Sequence, residues 1–236
     1  MDRLAGADPE AGRARSAARA VLPPALRARL GAVAVLAALV VVVLGVLFAG
    51  HGEPGRVDRW LVAPTADSVR GPWRHVALAL DFLGEPVGSV LLVVACGAVC
   101  LLRRRLRAAV LVVAGVGVTV GATTLLKQVV GRTIHGAGNL SYPSGHTAFL
   151  TTLAVMATLP AADRPGVGRA AGTALVLAAS LAAGAAMGWA EVALGAHYPT
   201  DALGGWCTAL AVTPATAWLV DRLADRTAVT GGGRLR

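Results

Sequence analysis

Two short stretches, about 50 residues apart, hold most of the residues suited to chemistry. The first carries Lys127, Arg132 and His135 and ends in Tyr142-Pro143-Ser144-Gly145-His146. The second carries Glu191 and then His197-Tyr198-Pro199-Thr200-Asp201. Pro143 and Gly145 break the chain just before an apolar run, which predicts a helix start at Ser144. Such an end offers unpaired N–H groups and a positive dipole, so it attracts anions. Ser144 can cap it and donate a hydroxyl. A capped helix with an interfacial His fits the same letters. In the second stretch Pro199 suits a first helical turn, which puts Asp201 within reach of His197. A carboxylate beside an imidazole fixes its tautomer and stabilises its cation. That pairing activates a His as a nucleophile. The alternative is a capping Asp beside an unrelated surface His.

Lys127 is the only Lys among 22 basic residues. A Lys at a span end can simply snorkel to the interface, but its compact ammonium also suits a phosphate oxygen. Together these groups offer a cation, an anion cradle, a spare His and a His–Asp pair. That inventory matches phosphoryl transfer through a phosphohistidine. No metal site is read here, because two His and one Asp lack a third strong ligand at helical spacing. No cofactor is expected.

The elements that position these groups are apolar. Hydrophobic residues make up 56% of the 236, charged residues only 15%, and the mean hydropathy is +0.65. Such a chain is too apolar for disorder and too poor in charge for an ordinary soluble domain. A membrane helix needs about 20 apolar residues. Six runs qualify, at about 31–49, 86–102, 108–126, 145–160, 170–189 and 201–220. The first is too long for a signal-peptide core. The stretch 51–85 is more broken and holds Trp60 and Trp73, which predicts an interfacial or re-entrant helix. The expected class is all-α: a six-span bundle over 30–221, with a basic tail at 1–29 and a second tail at 222–236.

Net charge is +9, which invites a nucleic-acid reading. The arginines, however, form collars at the span junctions and not one patch, so nucleic acid is not an expected partner. Sixteen basic residues fall in the two tails and the 103–107 and 161–169 loops. The positive-inside rule then places both termini in the cytoplasm and the two chemical stretches on the outer face of the cell membrane. Gly117 with Gly121, and Gly184 with Gly188, are spaced for close helix approach, or simply reflect an Ala/Gly-rich composition. Cys96, Cys100 and Cys207 show no disulfide framework.

The chain resembles the type 2 phosphatidic acid phosphatase superfamily of membrane lipid phosphatases, over roughly residues 55–215. Pro143-Ser144-Gly145-His146 matches that family's central motif in full. His197 and Asp201 match the end of its third motif, and Lys127 the start of its first. Two positions depart. Ile134-His135 stands where the family has Arg-Pro, and Ala190-Glu191 where it has Ser-Arg. The resemblance implies that His197 attacks phosphorus, Asp201 orients it, and His146 protonates the leaving alkoxide and then activates water. Lys127, Ser144 and the Gly145 N–H would hold the phosphoryl oxygens. Arg132 is the candidate for the missing positive charge, His135 is the alternative helper, and Glu191 is a candidate partner for Arg132 instead of facing substrate.

The implied activity is metal-independent hydrolysis of a lipid phosphate monoester or diphosphate at the outer face. Phosphatidic acid, phosphatidylglycerol phosphate and polyprenyl phosphates are the implied substrate types, with the bilayer as the surrounding partner. A non-catalytic lipid-phosphate binder or scaffold, a phosphotransferase and a transporter are the competing readings. A transporter fits worst, since its polar groups would lie near the midplane.

Overall fold

The computed structural model describes residues 20–232, with side chains to 227. Most of the expected N-terminal tail and the last residues of the C-terminal tail lie outside them. A short turn at Pro24–Leu26 leads into α1 (Arg27–Leu47). There follow α2 (Arg56–Asp67), α3 (Pro72–Gly84), α4 (Pro86–Leu102), α5 (Leu106–Val130), α6 (Gly145–Ala162), α7 (Arg169–Ala193) and α8 (Pro199–Gly232). The described residues form helices and no strand beyond one isolated bridge, Thr133 with Leu140.

Every expected span is met by a helix, but the helices are not equivalent. By length and apolarity four can cross a membrane: Pro24–Leu47, Leu106–Val130, Arg169–Ala193 and Pro199–Thr227. A fifth is added if α3 and α4, bent by 67°, count as one broken span. The 17 residues of α4 are short for a span on their own. The 18 residues of α6 include His146 and several threonines, and α6 is not among those four. The physical reason is position: α6 packs against α5, α7 and α8, and it meets protein more than lipid. Nor is 51–85 one helix. Gly71, at φ 57°, breaks it into α2 and α3.

α1 illustrates the lipid-facing type. Val35, Leu36, Leu39, Val42 and Val46 are exposed, while Leu30, Ala37 and Val41 are buried with α8 behind them. Inside the bundle, Thr119, Thr152 and Thr213 join α5, α6 and α8. Thr119 Oγ1 lies 3.0 Å from Thr152 Oγ1, which accepts from Thr213 at 3.3 Å. Such bonds hold helices together where apolar burial gives little drive.

The two glycine pairs resolve differently. A Cβ at Gly184 would strike the Trp206 ring, and one at Gly188 would meet Ala202 Cβ at 3.0 Å. Gly117 and Gly121 have nothing within 4 Å, so that pair reflects composition.

The two bundle ends differ in character. At one end Asp221 accepts from the Val21 and Leu22 N–H groups at 2.9 and 3.0 Å. Arg107 and Arg27 lie 3.6 and 3.7 Å from the same carboxylate. At the other end meet the end of α5, the start of α6, the end of α7 and the start of α8.

Candidate active site

That second end gathers the sequence-predicted residues. Gly131, at φ 64°, closes α5 and turns the chain into the 132–144 loop. Ser144 then caps α6. Its Oγ accepts from Thr147 N–H at 3.2 Å and donates to Thr147 Oγ1 at 3.0 Å. Its own N–H donates to the Asp201 carbonyl at 3.0 Å. One backbone bond therefore ties the two chemical stretches together. Ser144 is fully buried, and its hydroxyl is committed to its own helix. A Cβ at Gly205 would collide with the Ser144 carbonyl, so that glycine lets α8 approach.

On the other side, Gly195 at φ 79° reverses the chain after α7. Ala196 N–H donates back to the Glu191 carbonyl at 2.8 Å, bringing His197 under Glu191. His197 is buried at 7% exposure. Its Nδ1 lies 3.7 Å from Asp201 Oδ2 and its Nε2 3.4 Å from Glu191 Oε2. Both are neighbours at more than hydrogen-bond length. Catalytic hydrogen bonds commonly tighten only around substrate. The expected His–Asp pair is thus in place, and Asp201 Oδ2 also accepts the Tyr198 N–H at 3.0 Å.

Arg132 is placed unexpectedly. It is fully buried, donating to Asp201 Oδ1 and Thr200 Oγ1 at 2.6 Å and to Asp58 Oδ2 at 2.7 Å. Its guanidinium also lies over Phe48, at 3.9 Å, and Tyr198, at 4.6 Å. Only its Nε lacks a partner, and that atom too is buried, so the direct phosphate contact expected of Arg132 does not fit this placement. Asp58 completes the network by accepting the Thr200 and Gly55 N–H groups, each at 3.0 Å. Burial pushes its carboxyl up, but Arg132 and these hydrogen bonds outweigh burial and hold it below the ordinary carboxylate range. Asp58 comes from α2, outside every motif quoted above.

His146, at the first turn of α6, faces a wall of carboxylates. Its Nδ1 is 3.9 Å from Glu191 Oε2. Its Nε2 is 3.8 Å from Glu85 Oε1 and 4.0 Å from Asp81 Oδ1. A Cβ at Gly84 would overlap the imidazole, so α3 holds the ring by contact at that glycine. Asp81, His146 and Glu191 each present one ligand atom, all within 4.8 Å of one another. Sequence spacing shows no third metal ligand; the fold supplies Asp81. Sequence reasoning missed Asp81 and Glu85, and the available signal was acids inside the mostly apolar run that leads into Pro86.

Lys127 is half-buried, one helical turn before the end of α5. With Gly145 and His146 it lines one end of a cavity of about 380 Å³. Val90, Val94, Val120 and Phe149 line the same cavity. A polar end joined to an apolar wall suits an amphiphile. His135 is exposed, and its Nε2 lies 2.7 Å from the Gly195 carbonyl. It pins the two loops together and stands apart from the histidine cluster. Ile134, where a guanidinium was expected from the resemblance, is buried at 5% exposure.

Comparison with known proteins places the fold and the family. A crystal structure titled as the first transmembrane PAP2 type phosphatidylglycerolphosphate phosphatase, from Bacillus subtilis, matches with a TM-score of 0.58 at 20% identity. The match covers 82% of this chain and 96% of that one, and at such identity it speaks for the fold. No curated protein matches. The family model of the PAP2 superfamily matches residues 106–225, just over half of the chain and the part that holds both chemical stretches. The chain belongs to the PAP2 superfamily.

Proposed function

We propose that this membrane protein hydrolyses a lipid phosphate monoester or diphosphate through a phosphohistidine. The observation that carries the reading is the meeting of His197, Asp201 and His146 beside a cavity that Lys127 and apolar side chains line together. Asp201 holds the Nδ1 side of His197, so Nε2 attacks phosphorus. The P–O bond to the lipid breaks, and its electron pair leaves with the alkoxide, or with the phosphate of a diphosphate. His146 gives that oxygen a proton and later takes one from the water that cleaves the P–N bond. Lys127 and the Gly145 N–H hold phosphoryl oxygens. Arg132 acts as a positioning residue, fixing Asp201 from behind.

The substrate types are phosphatidic acid, phosphatidylglycerol phosphate or a polyprenyl phosphate. The site faces outward across the plasma membrane with both termini in the cytoplasm, supported by the arginine collars at the opposite bundle end. The six helices at the expected places form the spanning bundle, with α2 lying at the interface.

One observation favours a second reading. Glu191 puts a carboxylate 3.4 Å from the nucleophilic nitrogen, where the resemblance expects a guanidinium. A lipid-phosphate binder without catalysis, or a transferase passing the phosphoryl group to another acceptor, would share this fold. Phosphate release from a panel of lipid phosphates decides between them. Release by wild type and none by His197→Ala supports hydrolysis. Equal inertness of both supports the binder, and phosphoryl transfer to an added alcohol supports the transferase.

A further inference from the structure

Glu191 is buried at 1% exposure, and neither carboxylate oxygen has a hydrogen-bond partner. Among the described residues no Lys or Arg pairs with it, Arg132 included, since that guanidinium goes to Asp58 and Asp201. An ionised carboxylate so placed is costly to bury. Its Oε2 stands 3.4 Å from His197 Nε2 and 3.9 Å from His146 Nδ1. Asp201 faces His197 Nδ1 and keeps the N–H on that side, so Nε2 carries a lone pair. A carboxylate oxygen and a bare imidazole nitrogen are both acceptors. Facing each other in the interior, they need a proton between them. On Nε2 that proton would block attack on phosphorus. On Glu191 it can turn away and free the lone pair. Asp81 adds a second carboxylate oxygen within 4.8 Å of Glu191, and two carboxylates sharing a site do not readily both ionise. Burial decides which of them holds the proton: Asp81 is about one-quarter exposed, whereas Glu191 is enclosed.

We propose that Glu191 is a catalytic residue that works as a neutral carboxylic acid, donating its O–H to a phosphoryl oxygen where the resemblance expects a guanidinium. At rest the O–H donates to His197 Nε2. A phosphoryl group arriving at Nε2 brings an oxygen within reach of Oε2 and takes over that hydrogen bond. The proton stays on Glu191 throughout. His146 remains the acid for the leaving oxygen and the base for water. A neutral donor removes the repulsion that a carboxylate would exert on phosphate. Donors held in place this way stabilise the charge that gathers on phosphoryl oxygens. Lys127 is the one Lys or Arg among the described residues lining the adjoining cavity, so a further donor is needed there. The part of Glu191 in turnover rests on the lipid-phosphatase reading above; the proton it holds does not.

The test pairs infrared difference spectra with phosphate release, on the full-length protein in detergent at neutral pH. Wild type minus Glu191→Gln should show the C=O stretch of a protonated carboxylic acid, and saturating inorganic phosphate should move that band. Glu191→Gln, a neutral donor of the same shape, should keep kcat within ~10-fold of wild type, whereas Glu191→Met fills the same space without a donor and should lose ~100-fold or more. The unfolding temperature of each variant shows that it is folded. Carboxylate bands in place of the acid band overturn the proposal, and so do equal rates for Glu191→Gln and Glu191→Met. A Glu191→Gln variant faster than wild type would put the proton on His197 and also overturn it. Release by wild type without the acid band removes the neutral donor but leaves the phosphatase standing. An acid band that phosphate moves, without any release, does the reverse.

Discussion

Arg132 donates to Asp201 at 2.6 Å, and the other oxygen of that carboxylate stands 3.7 Å from His197 Nδ1. A buried cation therefore acts on the histidine at one remove. Removing one partner of a buried pair commonly costs about 3–5 kcal/mol. Arg132→Ala is expected to cost that much, read as a lower unfolding temperature in detergent. Arg132→Lys keeps the charge but cannot reach Asp58, Thr200 and Asp201 at once. Its expected signature is a kcat reduced ~10-fold or more with little change in KM, because the group does not touch phosphate. A raised KM with intact kcat would put Arg132 on the substrate.

Asp58 gives that network a pH dependence whose sign can be worked out. Its carboxyl is held below the ordinary range in the folded chain. Its contribution is therefore complete at neutral pH, above its unfolded pKa of about 4, and is lost as pH falls through the lowered folded value. Asp58→Asn should lower the unfolding temperature most near pH 7, and the gap to wild type should narrow below about pH 4. A gap that stays constant from pH 7 to 3 would contradict the assignment.

Gly84 holds His146 by contact, since any Cβ there overlaps the ring. Gly84→Ala should displace the imidazole and lower kcat by ~10- to 100-fold, because misplacement by about 1 Å is costly to catalysis. Gly117→Ala, with open space around it, should leave both activity and unfolding temperature near wild type. Equal rates for the two variants would remove His146 from the reacting centre.

His135 lies in the first motif region but outside the cluster, exposed and 2.7 Å from the Gly195 carbonyl. His135→Ala is expected to change kcat/KM by less than about 3-fold, which is below 1 kcal/mol. A loss comparable to that of His146→Ala would show that the loop geometry is itself catalytic.

What could be read before folding was local. The positions of the apolar helices followed from apolar runs, the Ser144 cap from the Pro143 and Gly145 break before one of them, and the His197–Asp201 pairing from a spacing of four residues. What could not be read depended on partners far along the chain. Arg132 looked like a phosphate ligand because its charge carries no address. Its partner Asp58 lies 74 residues away, on a helix that belongs to no motif. Asp81 meets His146 from the end of α3, where that helix bends by 67° into α4. Hydropathy marks a helix as apolar, but it does not tell lipid-facing from protein-facing helices.

The central claim is that His197 carries the phosphoryl group. The direct test is rapid quench of the protein with a phosphate-labelled lipid substrate, followed by mapping of the label. A P–N bond survives base and breaks in acid. The account predicts a base-stable, acid-labile phosphate on His197, absent from His197→Ala and accumulating in His146→Ala if water activation becomes limiting. Steady phosphate release with no label on His197, or label on any other residue, would contradict it.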